Sequence, residues 1–376
     1  MAGVSTFVTS SLRSVLFRRV FGALFATLVI FYILSHISIT IEETANEETA
    51  IDTSVDLTRF ISHGSTNCIP PLDNIIAKAN SVRSECEESS PFSKEQNLAG
   101  PRIGTVTAQF GKVQESYQQA LQTQALHCAV HDSWLHIMCN PIVDSLWNKE
   151  AFLLKLVLEE MMKPEEERLE WIFWVDRDVV ILDQCRPISS FLPPKMQQQV
   201  RSQRGEDEEL SEELSQDDAE DTHLLVTNDS SGLNNGVFLL RVNTWAIEML
   251  TETLAFPVYK PDVELQFTEQ SAMSAVISSP DMRFHRNTQF VAQEWFNAFP
   301  KDGPTEFLER KEEDEKELDA FQVRRGDFLV HFAGHHHKVE AILSWTKMLR
   351  DARSIWRERE RIQRDISKEV ERFGRS

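Results

Sequence analysis

The chain has 376 residues, of which 41% are hydrophobic and 26% charged, a composition typical of an ordinary globular protein with one large domain and appended segments. The formal net charge of -20 excludes a nucleic-acid backbone as partner, because that binding requires cationic side chains to replace the counterions of the phosphates. A phosphate-bearing ligand remains compatible with this charge, provided that a metal ion is bound with it.

An apolar segment near the N-terminus, residues 20–41, contains no formally charged side chain. As a helix it is long enough to cross a hydrocarbon core of about 30 Å. Basic residues precede it and acidic residues follow it: Arg13, Arg18 and Arg19 before, Glu42, Glu43, Glu47 and Glu48 after. The positive-inside rule therefore predicts a cytosolic tail at 1–19 and a lumenal remainder.

A cleaved signal peptide is the alternative for this segment. The apolar run is longer than the core of a usual signal peptide and lacks a small-x-small cleavage site near its end. We therefore predict an uncleaved type II signal anchor. Residues 42–100 mix acids, Ser, Asn and Pro with little periodicity, which favours a lumenal stem. The sole glycosylation sequon, Asn228-Asp229-Ser230, is then exposed to the lumen.

Alternating strand-like and helix-like patterns follow from Pro101 onward. Strands are predicted at 102–108, 134–139, 171–176, 223–227, 236–241 and 328–332, and helices at 114–127, 142–162, 244–255 and 269–278. The initial order, β-α-β-α-β, is typical of a mostly parallel sheet with crossover helices. The sequence therefore predicts an α/β domain over residues 101–350.

Three charged or amphipathic segments lie outside this pattern. Residues 206–221 are strongly acidic and 306–319 are almost wholly charged, which predicts solvated loops or exposed helices. Residues 351–376 carry spaced apolar side chains among many charges, which favours an amphipathic terminal helix.

The five cysteines are too few for a disulfide scaffold and show no zinc-site spacing. Cys68 and Cys86 lie in the irregular N-terminal region, where they are free to pair in an oxidising lumen. The other three, Cys128, Cys139 and Cys185, are predicted to be buried thiols.

The predicted strand at 171–176 is strongly apolar and runs into two carboxylates, Asp176 and Asp178. In open α/β sheets ligands bind beyond the carboxyl ends of strands. Alternate residues of an extended chain point to one side, so this pair can hold a hard cation such as Mg²⁺ or Mn²⁺. The alternative for an isolated Asp-x-Asp is a turn cap.

Two further motifs contain polar groups beside apolar strands. Gly232 to Arg241 begins with glycines and with Asn234 and Asn235, whose amides offer the donors and acceptors that sugar hydroxyls need, although a hairpin turn explains the same residues. His331 lies inside an apolar run, where a histidine taken alone is expected to be a core residue.

Taken in order, these motifs resemble those of the fungal and plant glycosyltransferase family 34. The resemblance covers about residues 101–350 and is carried by the segments 102–111, Trp147-x-Lys149, 171–178, 232–241, 269–272, 293–297 and 331–334. The family includes yeast Golgi α-1,2-galactosyltransferases, α-1,6-mannosyltransferases and plant xyloglucan xylosyltransferases. It implies a GT-A fold, a Rossmann-like and mostly parallel sheet flanked by helices, and a Golgi type II membrane enzyme.

The resemblance also implies retaining, metal-dependent transfer from a nucleotide sugar, UDP-galactose or GDP-mannose, to a glycan acceptor. Asp176, Asp178 and His331 would bind Mn²⁺ or Mg²⁺, which reverses the interpretation of His331 taken alone. The donor would be bound by residues spread along the domain: Thr107, Gln109, Phe110, Gly111, Trp147, Lys149, Asn234, Asn235, Gly236 and Lys338. Glu269 and Gln270 would lie beneath the anomeric carbon as the catalytic pair.

Arg177 departs from the family, whose members more often carry a small residue between the two acids, and the acidic insertion at 206–221 is also unusual. The run His335-His336-His337 is expected to be a solvated loop. Two other functions compete with transfer. One is a haloacid-dehalogenase-like phosphatase, because the run from Asp176 to Val180 loosely fits an Asp nucleophile motif. The other is a non-catalytic subunit of a glycosyltransferase complex.

Overall fold

The structure is a computed structural model that describes residues 56–65, 68–72, 74–90, 92, 100–192, 222–280, 282–351 and 369–370. The predicted tail, membrane anchor and acidic insertion, and nearly all of the predicted C-terminal helix, lie outside these residues. Within them, no helix combines the length and the apolar character needed to span a membrane.

The chain divides into two compact units. Among the described residues, Ala255–Val263 belongs to the first unit and the rest belong to the second. All candidate site residues discussed below lie in the second unit.

The described residues form nine strands and eight α-helices. The strands are β1 (Phe60–His63), β2 (Ile103–Ala108), β3 (Trp134–Met138), β4 (Trp171–Val175), β5 (Val179–Ile181), β6 (Leu224–Asp229), β7 (Gly232–Arg241), β8 (Thr288–Val291) and β9 (Leu329–His331). The helices are α1 (Ile75–Ser89), α2 (Glu115–Val130), α3 (Asn148–Met161), α4 (Thr244–Tyr259), α5 (Glu269–Ile277), α6 (Pro304–Glu309), α7 (Glu312–Glu315) and α8 (Lys338–Asp351).

The central sheet has seven strands in the order β1-β3-β2-β4-β7-β6-β8. All neighbours are parallel except β7, which runs antiparallel to both β4 and β6. A separate pair, β5 and β9, is antiparallel. The prediction of an α/β domain with a mostly parallel sheet is therefore confirmed.

The central strand β4 explains where the carboxylates lie. All five of its residues are buried, and Phe173 packs with Leu239 of β7 and with Phe191, Phe296 and Phe328 in one apolar core. A strand buried on both faces cannot accommodate charged side chains, so the first carboxylate appears where the strand ends.

The predicted stem at 42–100 differs from the structure. Phe60–His63 forms the edge strand β1 and pairs in parallel with β3. Helix α1 packs its Ile75 and Ala79 against α2 in a second apolar core. The domain therefore begins before Phe60 and not at Pro101.

The predicted cysteine pairing is also corrected. Cys68 is bonded to Cys139 and Cys86 to Cys185, while Cys128 is a free, buried thiol. Both N-terminal cysteines are thus joined to the domain core and not to each other.

Two predicted elements begin at other residues than expected. The helix expected from residue 142 starts at Asn148, because the side chain of Asn148 bonds to the backbone of Ile142 and Val143 and holds them in a loop. The strand expected from Gly236 starts at Gly232, since it forms a hairpin with β6.

Candidate active site

Asp176, Arg177 and Asp178 form a turn between β4 and β5, closed by a 3.2 Å bond from the amide of Val179 to the carbonyl of Asp176. The prediction that this motif is extended is therefore wrong. The turn allows β5 to pair with β9, whose register places Val179 opposite His331. The short strand pair thus brings a residue 153 positions from Asp178 to the two acids (331 − 178 = 153).

Asp176, Asp178 and His331 converge: one ligand atom from each lies within 4.8 Å of the others. Nε2 of His331 is 3.5 Å from Oδ1 of Asp178, and Lys338 bonds to Oδ2 of the same carboxylate. Burial raises the pKa of Asp178, but His331 and Lys338 outweigh it, so the pKa is held well below its usual range. Asp178 is therefore an anion at neutral pH.

A chain of hydrogen bonds orients the His331 ring. Asn234 donates its amide to Asp229 at 2.8 Å, which turns its oxygen toward Asn297. Asn297 donates to that oxygen at 3.1 Å and to Thr227 at 2.7 Å, so its own oxygen faces Nδ1 of His331 at 2.7 Å. An amide oxygen only accepts, so Nδ1 must carry the proton.

With Nδ1 donating to Asn297, Nε2 is the ring nitrogen that faces the carboxylates. It donates to Asp178 when it carries a proton, and it offers a lone pair to a cation bound among the acids when it does not. One nitrogen and two carboxylate oxygens form a donor set that suits a divalent ion such as Mn²⁺ or Mg²⁺. The three residues therefore fit a metal, and a partner that fixes the tautomer of a ligating histidine is usual at metal sites.

Lys149, at the start of α3, is buried, and its ammonium group donates hydrogen bonds to protein oxygens. Its Nζ lies 3.0 Å from the carbonyl oxygen and 2.9 Å from Oδ1 of Asn235. It also lies 3.4 Å from Glu269 and 3.7 Å from Asp176. Trp174 donates from its indole to Asp176 at 2.8 Å. Asp176 is thus positioned by two side chains even without a metal.

Two carboxyl groups beside Lys149 have raised pKa values. Burial raises the pKa of Glu150 to about 8, and it also raises the pKa of Glu269, in each case against the opposing charge of Lys149. One buried oxygen of each, Oε2, has no hydrogen-bond partner among the described residues. Orphaned buried oxygens are rare and often mark functional groups.

The remaining sequence-predicted residues lie on loops at the same edge of the sheet or on the strands that lead to it. Gln270 accepts a 3.2 Å bond from the backbone amide of Asn235, and the backbone amide of Gly236 donates to Oδ1 of Asn234 at 2.9 Å. Thr107 is fully buried in β2. Gln109, Phe110 and Gly111 follow β2, and half-buried Trp147 ends a short 3-10 helix before α3. His335, His336 and His337 are exposed, as expected.

Sequence reasoning missed Asn297, Glu150 and Trp174. Asn297 lies in a motif that was recognised, 293–297, but no role was assigned to it. Glu150, in the first turn of α3, accepts a 3.4 Å bond from the side-chain amide of Asn235 and so contacts the same site. Trp174 belongs to the predicted apolar strand, and the signal that could have identified it is its indole NH, which requires an acceptor when buried.

The central part of the chain is similar to proteins of one known family. The model of the galactosyl transferase GMA12/MNN10 family matches residues 139–340. An uncharacterised α-1,2-galactosyltransferase of Schizosaccharomyces pombe is 28% identical over 203 residues, 50% of this chain and 48% of that protein. A probable α-1,2-galactosyltransferase of the same yeast is 26% identical over 216 residues, 55% of this chain and 58% of that protein.

The chain thus spans about half the length of the curated relatives it matches. Among solved structures, it is similar to a glycosyltransferase involved in glycosylation of the major capsid of PBCV-1. The identity is 13% and the TM-score 0.41, covering 67% of this chain and 100% of that one.

Proposed function

This chain belongs to the galactosyl transferase GMA12/MNN10 family, and on that premise we propose that it transfers a hexose, galactose or mannose, from a nucleotide sugar to a glycan acceptor. Transfer is retaining and depends on a divalent metal. The observation that carries this proposal is the cluster of Asp176, Asp178 and His331, with Nε2 of the histidine turned toward both acids.

Asp176, Asp178 and His331 would hold the metal, which when bound would neutralise charge on the departing diphosphate. Lys338 lies at the same carboxylate and adds a positive charge beside it. The lysine also keeps Asp178 ionised, since it lowers the pKa of that acid.

Residues on the β7 side of the acids serve the transferred sugar. The side chain of Asn235 is held by Lys149, which donates to its Oδ1, and the backbone amide of Asn235 donates to Gln270. Glu269 shares one oxygen with Lys149 and keeps Oε2 unbonded within the described part of the chain. That oxygen is the acceptor best suited to stabilise positive charge that develops on the sugar.

The location proposed is the Golgi lumen, with the chain anchored through residues 20–41. Two disulfides support a lumenal domain, because disulfides persist in oxidising compartments and are rare in the cytosol. Position in the fold favours transfer over a dehalogenase-like phosphatase, whose nucleophile follows the first strand of its domain. Asp176 follows β4, and Lys149 and Trp174 already engage it.

The test is a donor panel with the full-length protein in detergent. Released nucleotide is measured with UDP-galactose, GDP-mannose and related donors in the presence of Mn²⁺ or of a chelator. We expect turnover of one donor with metal only, and loss of that turnover in Asp176→Asn and Asp178→Asn with little change in melting temperature. Failure to bind or turn over any donor would favour a non-catalytic subunit instead.

A further inference from the structure

Arg177, between the two acids, is the one residue of the Asp-x-Asp turn with no role in the proposed metal site. Its side chain is exposed, and its Cζ lies 4.4 Å from the ring centroid of Tyr117 in the first turn of α2. Among the described residues no acid forms an ion pair with it. In a chain of net charge -20, an unpaired arginine beside two acids needs an explanation.

Arg177 lies with Tyr117 and Gln109 at one side of the site, and these three residues are called the corner below. Tyr117 accepts a 3.0 Å bond at its carbonyl oxygen from the side chain of Gln109, which directly follows β2. Strands β2 and β7 flank β4 on opposite sides. Arg177, Tyr117 and Gln109 therefore lie on the β2 side of the metal acids, and Asn235 lies on the β7 side.

The β2 side and the β7 side of the metal acids would contact opposite ends of the proposed donor. A metal held by Asp176, Asp178 and His331 would bind the diphosphate, and the sugar would then lie on the β7 side, beside Asn235 and Glu269. The nucleoside must then extend toward β2. The corner made by Arg177, Tyr117 and Gln109 is the surface that it meets there.

The chemistry of the corner fits a nucleoside. One face of the guanidinium is covered by the Tyr117 ring, which keeps the side chain in place through a cation–π contact. The opposite face and the N–H groups at its edge remain available. Bases stack on arginine planes, and the N–H donors at the guanidinium edge can bond to the acceptor oxygens of a base or a ribose.

We propose that Arg177, held on Tyr117, binds the nucleoside of the nucleotide-sugar donor and contributes to the choice between uridine and guanosine. The proposal rests on the proposed function, since it requires a nucleoside diphosphate to be the ligand. It assigns to Arg177 the nucleoside and not the diphosphate, which stays with the metal and Lys338.

Calorimetric titration of the full-length protein with UDP, GDP and inorganic pyrophosphate, each with Mn²⁺, tests this. The variants are Arg177→Ala, Arg177→Lys and, as a matched control, Arg286→Ala. Arg286 is likewise exposed but precedes β8 at the opposite edge of the sheet. Tyr117→Ala and the double variant test whether the two side chains act together.

For the nucleotide that the wild type binds more tightly, Arg177→Ala should weaken binding about tenfold or more, as expected for loss of a charged donor. Arg177→Lys should recover only part of the lost affinity. Arg286→Ala should bind the nucleotide as tightly as the wild type does, and the Arg177 variants should bind pyrophosphate with unchanged affinity. Tyr117→Ala should weaken nucleotide binding less once Arg177 is absent.

Equal nucleotide affinity in Arg177→Ala, or an equal loss for pyrophosphate, would overturn the assignment of Arg177. A wild type that binds neither nucleotide would instead overturn the proposed function, so the two failures are distinguishable.

Discussion

Gly236 and His331 approach so closely that only a hydrogen atom fits between them. A Cβ atom on Gly236 would lie 2.3 Å from Cε1 and 3.1 Å from Nε2 of His331. Neither residue can move away, because Asn297 fixes the His331 ring and the carbonyl oxygen of Gly236 accepts a 2.8 Å bond from the amide of Asp176. The glycine is therefore required for the ring position that aims Nε2 at the acids.

Gly236→Ala should displace His331 and abolish metal-dependent turnover while the sheet remains folded. Mn²⁺ binding is measured by electron paramagnetic resonance, and folding by circular dichroism. Gly303→Ala is the control: its Cβ would meet only the flexible carboxylate of Glu306, at 2.8 Å. Full Mn²⁺ affinity in Gly236→Ala would show that the ring position does not matter.

His331→Ala should weaken Mn²⁺-dependent donor binding strongly, because it leaves only oxygen ligands. Asn297→Ala should weaken Mn²⁺ binding about 10- to 100-fold, since an unfixed imidazole no longer presents Nε2 to the acids. Titration of Mn²⁺ in the presence of donor measures both. If His331 were a core residue, its replacement would lower the melting temperature and leave metal affinity as in the wild type.

Glu150 should make stability depend on pH. Burial raises its pKa from 4.5 to about 8, so the folded protein keeps a proton that the unfolded chain releases. This contribution is complete below pH 4.5 and declines as the pH rises to about 8. The melting temperature of Glu150→Gln, relative to the wild type in chelator, should therefore increase across that range and level off above it. If the melting temperatures of the variant and the wild type changed in parallel with pH, the raised pKa of Glu150 would be contradicted.

Thiol titration should distinguish the observed disulfides from the predicted pairing. Burial raises the pKa of the Cys128 thiol to about 11, so the native protein should not react. In denaturant without reductant, only Cys128 should react, and Cys128→Ser should abolish that signal. A bond between Cys68 and Cys86 would instead leave Cys128, Cys139 and Cys185 all reactive.

The long elements were predictable because their apolar periodicity is local. β2, β4 and α2 lie within a few residues of their predicted bounds. β1 was not recognised, since its four residues, Phe-Ile-Ser-His, resemble the irregular sequence around them. β5 was missed too, and it has only three residues.

In the candidate site, the acids were predictable from the end of an apolar strand, but their conformation was not. The turn depends on β5 pairing with β9, which lies far away in the sequence. The bonds of Asn297 to Asn234 and His331 span 63 and 34 positions, and no local pattern encodes such contacts. The disulfides, with separations of 71 and 99 residues, escaped prediction for the same reason.

The β6–β7 hairpin carries the sequon at the edge of the sheet that holds the metal acids. Asn228 is exposed and pairs with Leu233, one residue before Asn234. Its neighbour Asp229 bonds both the hairpin turn and Asn234, and so orients the His331 ring through Asn297. An N-linked glycan on Asn228 would thus be attached one residue from Asp229, where the hydrogen-bond chain that orients the His331 ring begins. Host glycosylation of this asparagine would therefore change the protein surface beside the positioning groups of the metal site without altering any of its side chains.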